Sequence, residues 1–450
     1  MGFKKDFVWG TASSAYQIEG ATFENSKGLN IWDVFSHEDG NIFQNHNGDI
    51  ACDHFHRVDD DVALMVKMGL KAYRFSIAWA RILPNGVGEI SQKGIEFYNY
   101  LINKLIENNI QPYLTLYHWD LPYALQCKGG WQNPEIANWF GEYAKVVALN
   151  FSDRVQNFIT INEPQIITGL GYGNGTHAPG FKLPASAIMP ICHNILMAHG
   201  MAVKTLREYS KKEIKVGISM ATTPIIPEKD DMTKYDICEV NAQFPIEGFM
   251  FSDSIWLDPI FFGEYPDHIK NTFSDVVCHF TKEQMELINQ PIDFIGTNIY
   301  TGKYTVKTID GKIQLAKNKI GYSKTSFNWV ITPEALYWGP KLLFDRYKKP
   351  IYITENGMAC HDTISLDGKV HDPNRIDYIN RYLLEMKKAV DEGIEVDGYF
   401  AWSFCDNFEW GEGYNERFGL VYIDYETQER IIKDSGCWYK EVIDTNGENL

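Results

Sequence analysis

The run Val155-Gln156-Asn157-Phe158-Ile159-Thr160-Ile161 is followed at once by Asn162-Glu163-Pro164. A short apolar stretch ended by a backbone breaker reads as a buried strand that stops at a loop. Pro350-Ile351-Tyr352-Ile353-Thr354 repeats the pattern before Glu355-Asn356-Gly357. Each glutamate therefore stands where strand becomes loop, a half-buried place in which a carboxylate costs free energy. Two such residues, far apart in sequence yet alike in context, suggest a pair that the fold assembles for acid/base or nucleophilic chemistry. The alternative is ordinary turn chemistry, with each glutamate merely capping a neighbouring helix.

Outward from these two stretches, similar runs recur at 7–15, 72–79, 111–119, 155–162, 215–220, 294–300, 350–355 and 396–404. Most are continuous rather than alternating, as expected of parallel strands buried on both faces. Between them, 93–109, 134–150, 186–209, 333–347 and 373–392 carry apolar residues at helical spacing. Thr332-Pro333-Glu334 reads as a capping hydroxyl before a first-turn proline, and Thr281-Lys282-Glu283-Gln284 as a capping box.

A chain of 450 residues has room for two or three average domains, but no Pro/Gly/Ser-rich linker divides it. Alternation through about eight units predicts an α/β protein, a single (β/α)8 TIM barrel spanning 1–450 with extended loops at the C-terminal face of the strands. A doubly wound sheet is the alternative, although no Gly-x-Gly-x-x-Gly opens a helix. Two of the extended loops are visible. Residues 303–316, with Asp310-Gly311 at the turn, read as a hairpin after the sixth strand. The glycine-rich, irregular stretch 169–180 reads as the rim of a pocket.

Composition narrows the function. Hydrophobic residues at 44% and charged ones at 22% are usual for a globular protein with a large core. The balance of 42 basic against 59 acidic residues, net −17, has the wrong sign for a phosphate backbone, which excludes nucleic acid as a partner. Neither a signal peptide nor a run of membrane-spanning length is expected, so no membrane partner follows. Eight cysteines without a Cys-x-x-Cys pair read as reduced packing residues of a cytoplasmic protein. With no such pair and no His-Glu-x-x-His, neither metal nor cofactor is expected, and His54-Phe55-His56 is no ligand set. The acidic run Asp59-Asp60-Asp61 reads as a solvated helix start. Nothing here speaks to oligomeric state.

In a parallel barrel the carboxyl ends of all strands open on one face, where active sites are built. The residues finishing the strands are Gln17, Arg74, His118-Trp119, Asn162-Glu163, Asn298 and Tyr300, Glu355, and Trp402 followed by Asp406-Asn407-Phe408-Glu409-Trp410. Amide, imidazole, indole and carboxylate together suit a sugar, whose neighbouring hydroxyls take directed hydrogen bonds while its apolar C–H face lies on an aromatic ring. Two carboxyl groups flanking a glycosidic bond would divide into a protonated acid and an ionised nucleophile, because the charge on one raises the pKa of the other. Arg74, if it reaches Glu355, would hold that residue ionised.

These motifs resemble glycoside hydrolase family 1, the retaining β-glucosidases, over about residues 7–439. Thr160-Ile161-Asn162-Glu163-Pro164 resembles the family's acid/base signature and Ile353-Thr354-Glu355-Asn356-Gly357 its nucleophile signature. Phe7-Val8-Trp9-Gly10-Thr11-Ala12-Ser13-Ser14-Ala15-Tyr16-Gln17 is similar to its opening strand, and Tyr73-Arg74-Phe75-Ser76 to its second. The resemblance implies a (β/α)8 barrel, with Glu163 as general acid/base, Glu355 as nucleophile, and Arg74 and Tyr300 supporting the nucleophile. It implies Asn162 near the 2-hydroxyl and Asn298 close to the reacting centre. Gln17, His118, Trp119, Glu409 and Trp410 would bind the remaining hydroxyls, with Trp402 stacked beneath the ring.

The implied activity is hydrolysis of terminal non-reducing β-D-glucosyl residues from cellobiose, short cello-oligosaccharides and aryl glucosides. The alternatives are a β-galactosidase or β-fucosidase, a 6-phospho-β-glucosidase, and an inactive sugar-binding barrel. Glu409 speaks against the phosphorylated substrate, since a carboxylate facing the 6-position repels a phosphate dianion. Gln165 stands where many members carry an aromatic residue at the leaving-group subsite; Trp329 is the candidate replacement platform, with plain packing as the alternative.

Overall fold

The computed structural model describes residues 2–227, 246–307 and 313–450. Its eight principal strands are β1 (Val8–Ala12), β2 (Ala72–Ser76), β3 (Gln111–Tyr117), β4 (Asn157–Asn162), β5 (Lys215–Ala221), β6 (Phe294–Asn298), β7 (Ile351–Asn356) and β8 (Val396–Trp402). Each pairs in parallel with its sequence neighbours, and β8 pairs with β1 to close the barrel. Six fall within the runs expected from sequence, and β5 and β7 overrun theirs by one residue each. The reason is burial, for every residue of β2, β4 and β7 is covered by side chains inside and helices outside.

Helices follow the strands in turn: α1 (Val58–Lys67), α2 (Gln92–Glu107), α3 (Ile136–Phe151), α4 (Ala185–Tyr209), α5 (Asp253–Phe262), α6 (Ala335–Tyr347), α7 (Pro373–Asp391) and α8 (Asp434–Asp444). By length and composition α4 alone among the described residues meets the measure of a membrane-crossing helix, yet 78% of its most apolar window is buried, and it packs on α3.

Inside the barrel, Tyr113 of β3 meets Phe400 of β8 at 4.9 Å and Tyr352 of β7 at 5.7 Å, while Phe294 of β6 meets Tyr352 at 5.0 Å. Strands that are not neighbours touch only across the interior, so these rings form a plug beneath the C-terminal mouth.

Several local expectations need correction. Asp59 and Asp60 are exposed at the start of α1, but Asp61 is buried, accepting from His54 Nδ1 at 2.6 Å and Arg430 Nε at 2.9 Å. The Thr332 hydroxyl caps no helix; it accepts the Gly302 N–H at 2.6 Å, and α6 begins at Ala335 without a side-chain cap. The capping box at Thr281 and Gln284 is present. Lys303–Lys307 and Ile313–Leu315 pair as an antiparallel hairpin, while the Asp310-Gly311 turn lies outside the described residues. The stretch 169–180 is partly regular, since Ile167–Asn174 forms a π-helix. Cys52, Cys192 and Cys405 are buried and Cys360 is half-buried, whereas Cys127, Cys278 and Cys437 are exposed; Cys238 lies outside the described residues.

Phe400 is fully buried in the plug. Phe400→Ala should lower stability by about 3–5 kcal/mol through the cavity it leaves, read as a fall in the denaturant midpoint.

Candidate active site

Both strands that bear the paired glutamates lose their regular pairing just before them. The β4–β5 register shifts between Ile159 and Asn162, and the β6–β7 register between Ile353 and Glu355. Such irregularities re-aim the side chains that follow, and Glu163 and Glu355 both line one pocket of about 480 Å³ at the C-terminal mouth. Glu163 sits in the left-handed region at φ 47°, at the N-cap position of the short helix Pro164–Ile166, yet its side chain makes no capping bond. Instead its Oε1 accepts from Asn298 Nδ2 at 2.8 Å.

The Asn-Gly pair after Glu355 is likewise no simple turn. Asn356 Nδ2 donates to the Ile299 carbonyl at 2.7 Å and its Oδ1 accepts from the Tyr399 hydroxyl at 2.8 Å. Gly357 presses against β8 so closely that a Cβ would lie 1.8 Å from the Trp402 carbonyl oxygen.

The two carboxyl groups have different neighbours. Arg74 Nη1 donates to Glu355 Oε1 at 2.6 Å and the Tyr300 hydroxyl to Glu355 Oε2 at 2.8 Å. Burial, and next the charge on Glu355, push Glu163 up to about 8. Burial pushes Glu355 up as well, against the pull of Arg74 and Tyr300. Among the described residues Glu163 is the member without a cation at hydrogen-bonding distance, so it keeps the proton.

Amide orientations around the pair are forced. Asn298 Oδ1 accepts from the hydroxyls of Ser219 at 2.9 Å and Thr354 at 2.6 Å, which turns its Nδ2 toward Glu163. Asn162 Oδ1 accepts from Arg74 Nη2 at 2.6 Å and Asn298 Nδ2 at 3.1 Å, leaving its own Nδ2 to donate to His118 Nε2 at 3.1 Å. Burial, then the charge of Arg74, hold His118 well below the usual imidazole range. A neutral ring accepting at Nε2 carries its proton on Nδ1, and that atom has no partner among the described residues.

One side of the pocket is built for a polar ring. Gln17 is fully buried behind the lining, its Nε2 donating to Asn407 Oδ1 at 2.9 Å and the Phe408 carbonyl at 2.8 Å and reaching Glu409 Oε2 at 3.4 Å. Trp410 packs against Trp119 at 4.6 Å, and His118 stacks beside Trp402 at 5.9 Å. Burial, then Glu355 and Glu416, push Glu409 well above the carboxylate range. Gln17, Arg74 and Asn162 thus stand behind a wall to which His118, Trp119, Glu163, Asn298, Tyr300, Glu355, Trp402, Glu409 and Trp410 contribute directly.

The opposite side was less visible in the sequence. Trp329 lines it, 5.1 Å from Tyr300 and 4.6 Å from Phe327, with Phe418 beside them. Gln165 is buried away from the pocket, its Nε2 donating to Asp253 and its Oε1 accepting the Ala221 N–H. Ala221, Thr222 and Thr223 form wall at the end of β5, the one strand end among those before the eighth that supplied no candidate; reading it by the same rule would have found them. Phe327, Phe418 and His177 come from loops, where no periodic signal marks them.

Among the described residues no group of three or more His, Cys, Asp or Glu gathers for a metal. A second depression of about 430 Å³ lies at the opposite mouth, but its Asp397 is ion-paired to Lys4.

The sequence profile of glycosyl hydrolase family 1 matches residues 1–448. The chain is 44% identical over 448 residues to β-glucosidase A of Thermotoga maritima, covering 99% of this chain and 98% of that protein. It is 43% identical to β-glucosidase A of Acetivibrio thermocellus, with 99% of each covered. The structure of the T. maritima β-glucosidase in complex with glucoimidazole superposes with a TM-score of 0.91 at 44% identity, over 99% of each chain.

Because the charge on Glu355 helps to raise Glu163, Glu355→Gln should lower the pKa of Glu163. Carboxyl ¹³C NMR titration of the variant would show it, and an unmoved Glu163 would mean that burial acts alone.

Proposed function

Since this chain belongs to glycosyl hydrolase family 1, we propose that it is a retaining exo-β-glucosidase in which Glu163 is the general acid/base and Glu355 the nucleophile. The observation that carries this reading is the unequal environment of the two buried carboxyl groups, one held by Arg74 and Tyr300 and the other bonded, among the described residues, to an amide alone. In the first step Glu355 attacks the anomeric carbon, the bond to the leaving oxygen breaks, and that oxygen takes the proton of Glu163. Once Glu355 is esterified its charge is gone, so the pKa of Glu163 falls and the residue is fit to act as base. Glu163 then removes a proton from water, which attacks the same carbon and frees Glu355 with configuration retained.

For the sugar, His118 Nδ1–H is a donor with no partner among the described residues, and Glu409, Trp410 and Trp119 surround the same space, with Trp402 as the apolar face. Glu409 is assigned to the 6-hydroxyl end. The lining contains no Lys or Arg among the described residues, and a phosphate needs such cations, so the glycon is unphosphorylated. Gln17 acts by holding Asn407 and Glu409. Trp329 faces the leaving group, which suits cellobiose and short cello-oligosaccharides. Residues 1–450 serve as one catalytic domain, releasing glucose at the end of cellulose breakdown. Unpaired cysteines fit the reducing cytoplasm.

Glu355→Ala should nearly abolish turnover, with azide restoring it to give the inverted glycosyl azide; full activity in that variant sinks the assignment. Glu163→Ala should cost about 10²–10⁴-fold on cellobiose and far less in the first step on an activated aryl glucoside. Since Glu163 must be protonated at the start, kcat/KM should fall as pH rises through about 8, and since Glu355 must be ionised it should fall again toward acid pH. Loss of that basic limb in Glu163→Gln is the check.

A further inference from the structure

Lys433 is fully buried at the N-cap position of α8. A cation there opposes the helix dipole and gains nothing from it, and no capping bond is made. Its ammonium instead lies between two acids, donating to Asp362 Oδ2 at 2.5 Å and Asp406 Oδ1 at 2.6 Å. Asp406 is fully buried and also accepts Arg417 Nη1 at 2.6 Å and the Gly419 N–H at 2.9 Å. On the far side, Arg375 donates to Asp362 Oδ2 at 2.7 Å and to the Met358 carbonyl at 3.1 Å, and pairs with Asp372. Three carboxylates and three cations thus form one continuous, neutral chain of ion pairs.

Asp362 and Asp406, the two carboxylates that Lys433 bridges, lie on the two loops that matter most to the pocket. Met358 and Asp362 follow β7, the strand of Glu355. Asp406 directly precedes Asn407, which accepts Gln17 Nε2, and the segment goes on to Glu409 and Trp410. Buried ion pairs of this kind are weak sources of stability compared with apolar packing, but they are directional.

We propose that Lys433 is a positioning residue for sugar recognition, fixing the loop that carries Asn407, Glu409 and Trp410 relative to the loop that follows Glu355. The inference rests on the reading that Glu409 holds the 6-hydroxyl end of the glycon. A displacement of about 1 Å in such a group is worth up to about 100-fold in rate, so loss of the tether acts on discrimination.

The test compares nitrophenyl β-glucoside with nitrophenyl β-xyloside, which lacks the hydroxymethyl group. Glu409→Gln first checks the underlying reading: an unchanged glucoside-to-xyloside ratio of kcat/KM removes it and the proposal with it. Given a fall in that variant, Lys433→Met and Asp406→Asn should each lower the ratio about 10-fold, mainly through a higher KM for glucoside, with kcat changed less than about 3-fold. The ratio is independent of how much protein folds. If Lys433→Met is insoluble, Asp406→Asn decides alone. A wild-type ratio in the folded variants, whatever their melting temperature, overturns the proposal.

Discussion

One guanidinium, buried at the base of the pocket, sets the terms for everything around it. Arg74 is 1% exposed and donates to groups on three other strands: Thr115 of β3, Asn162 of β4, and Thr354 and Glu355 of β7. A buried ion pair broken on one side costs about 3–5 kcal/mol, so each partner is held in place by the others. Only a closed barrel brings these strands to one point. The direction of the hydrogen bonds follows from the same residue, because Arg74 has no acceptor to offer. Asn162 must present its oxygen to Arg74 and its amino group to His118, and the imidazole must then carry its proton on the side away from Asn162.

The barrel was legible because its strands are buried on both faces, so β4 and β7 stand out as apolar runs between polar helical segments. The two glutamates were legible because each is a charge placed where a charge is costly. The local reason for their aim was not, since a register shift between Ile159 and Asn162 leaves no mark in residue type. Asp61 and Thr332 were misread for a related reason. An acid at a helix start and a hydroxyl before Pro333 have strong local readings, and the partners that override them, Arg430 and Gly302, are far away in sequence. Phe327, Phe418 and Gln165 depended on loop geometry and on which way a side chain turns, neither of which has a period.

Several residues of the pocket hold unusual backbone. At its centre, Trp119, Glu163 and Trp410 all adopt positive φ, at 76°, 47° and 50°. Residues other than glycine are held there only when their surroundings over-determine them, and these three are gripped by ring packing and by the Asn298 amide. The Trp329 side rests on a loop whose Ser326 hydroxyl donates to Glu416 at 2.5 Å. One wall of the pocket is thus built on crowded, strained backbone, while another sets the rings of Phe327, Trp329 and Phe418 with Thr222 and Thr223.

The ring plug beneath the mouth has a consequence for traffic. With Tyr113, Phe294, Tyr352 and Phe400 stoppering the interior, the cavity is a cul-de-sac that ends blind at the floor of the barrel. A chain threaded into it advances only as far as its terminal unit, so the protein works from the tip and must release its hold after every cut. The departing fragment also occupies the corridor through which water has to come. Exit of the first half of the substrate therefore acts as the gate for the second half of the reaction, and a slow-leaving fragment becomes its own queue.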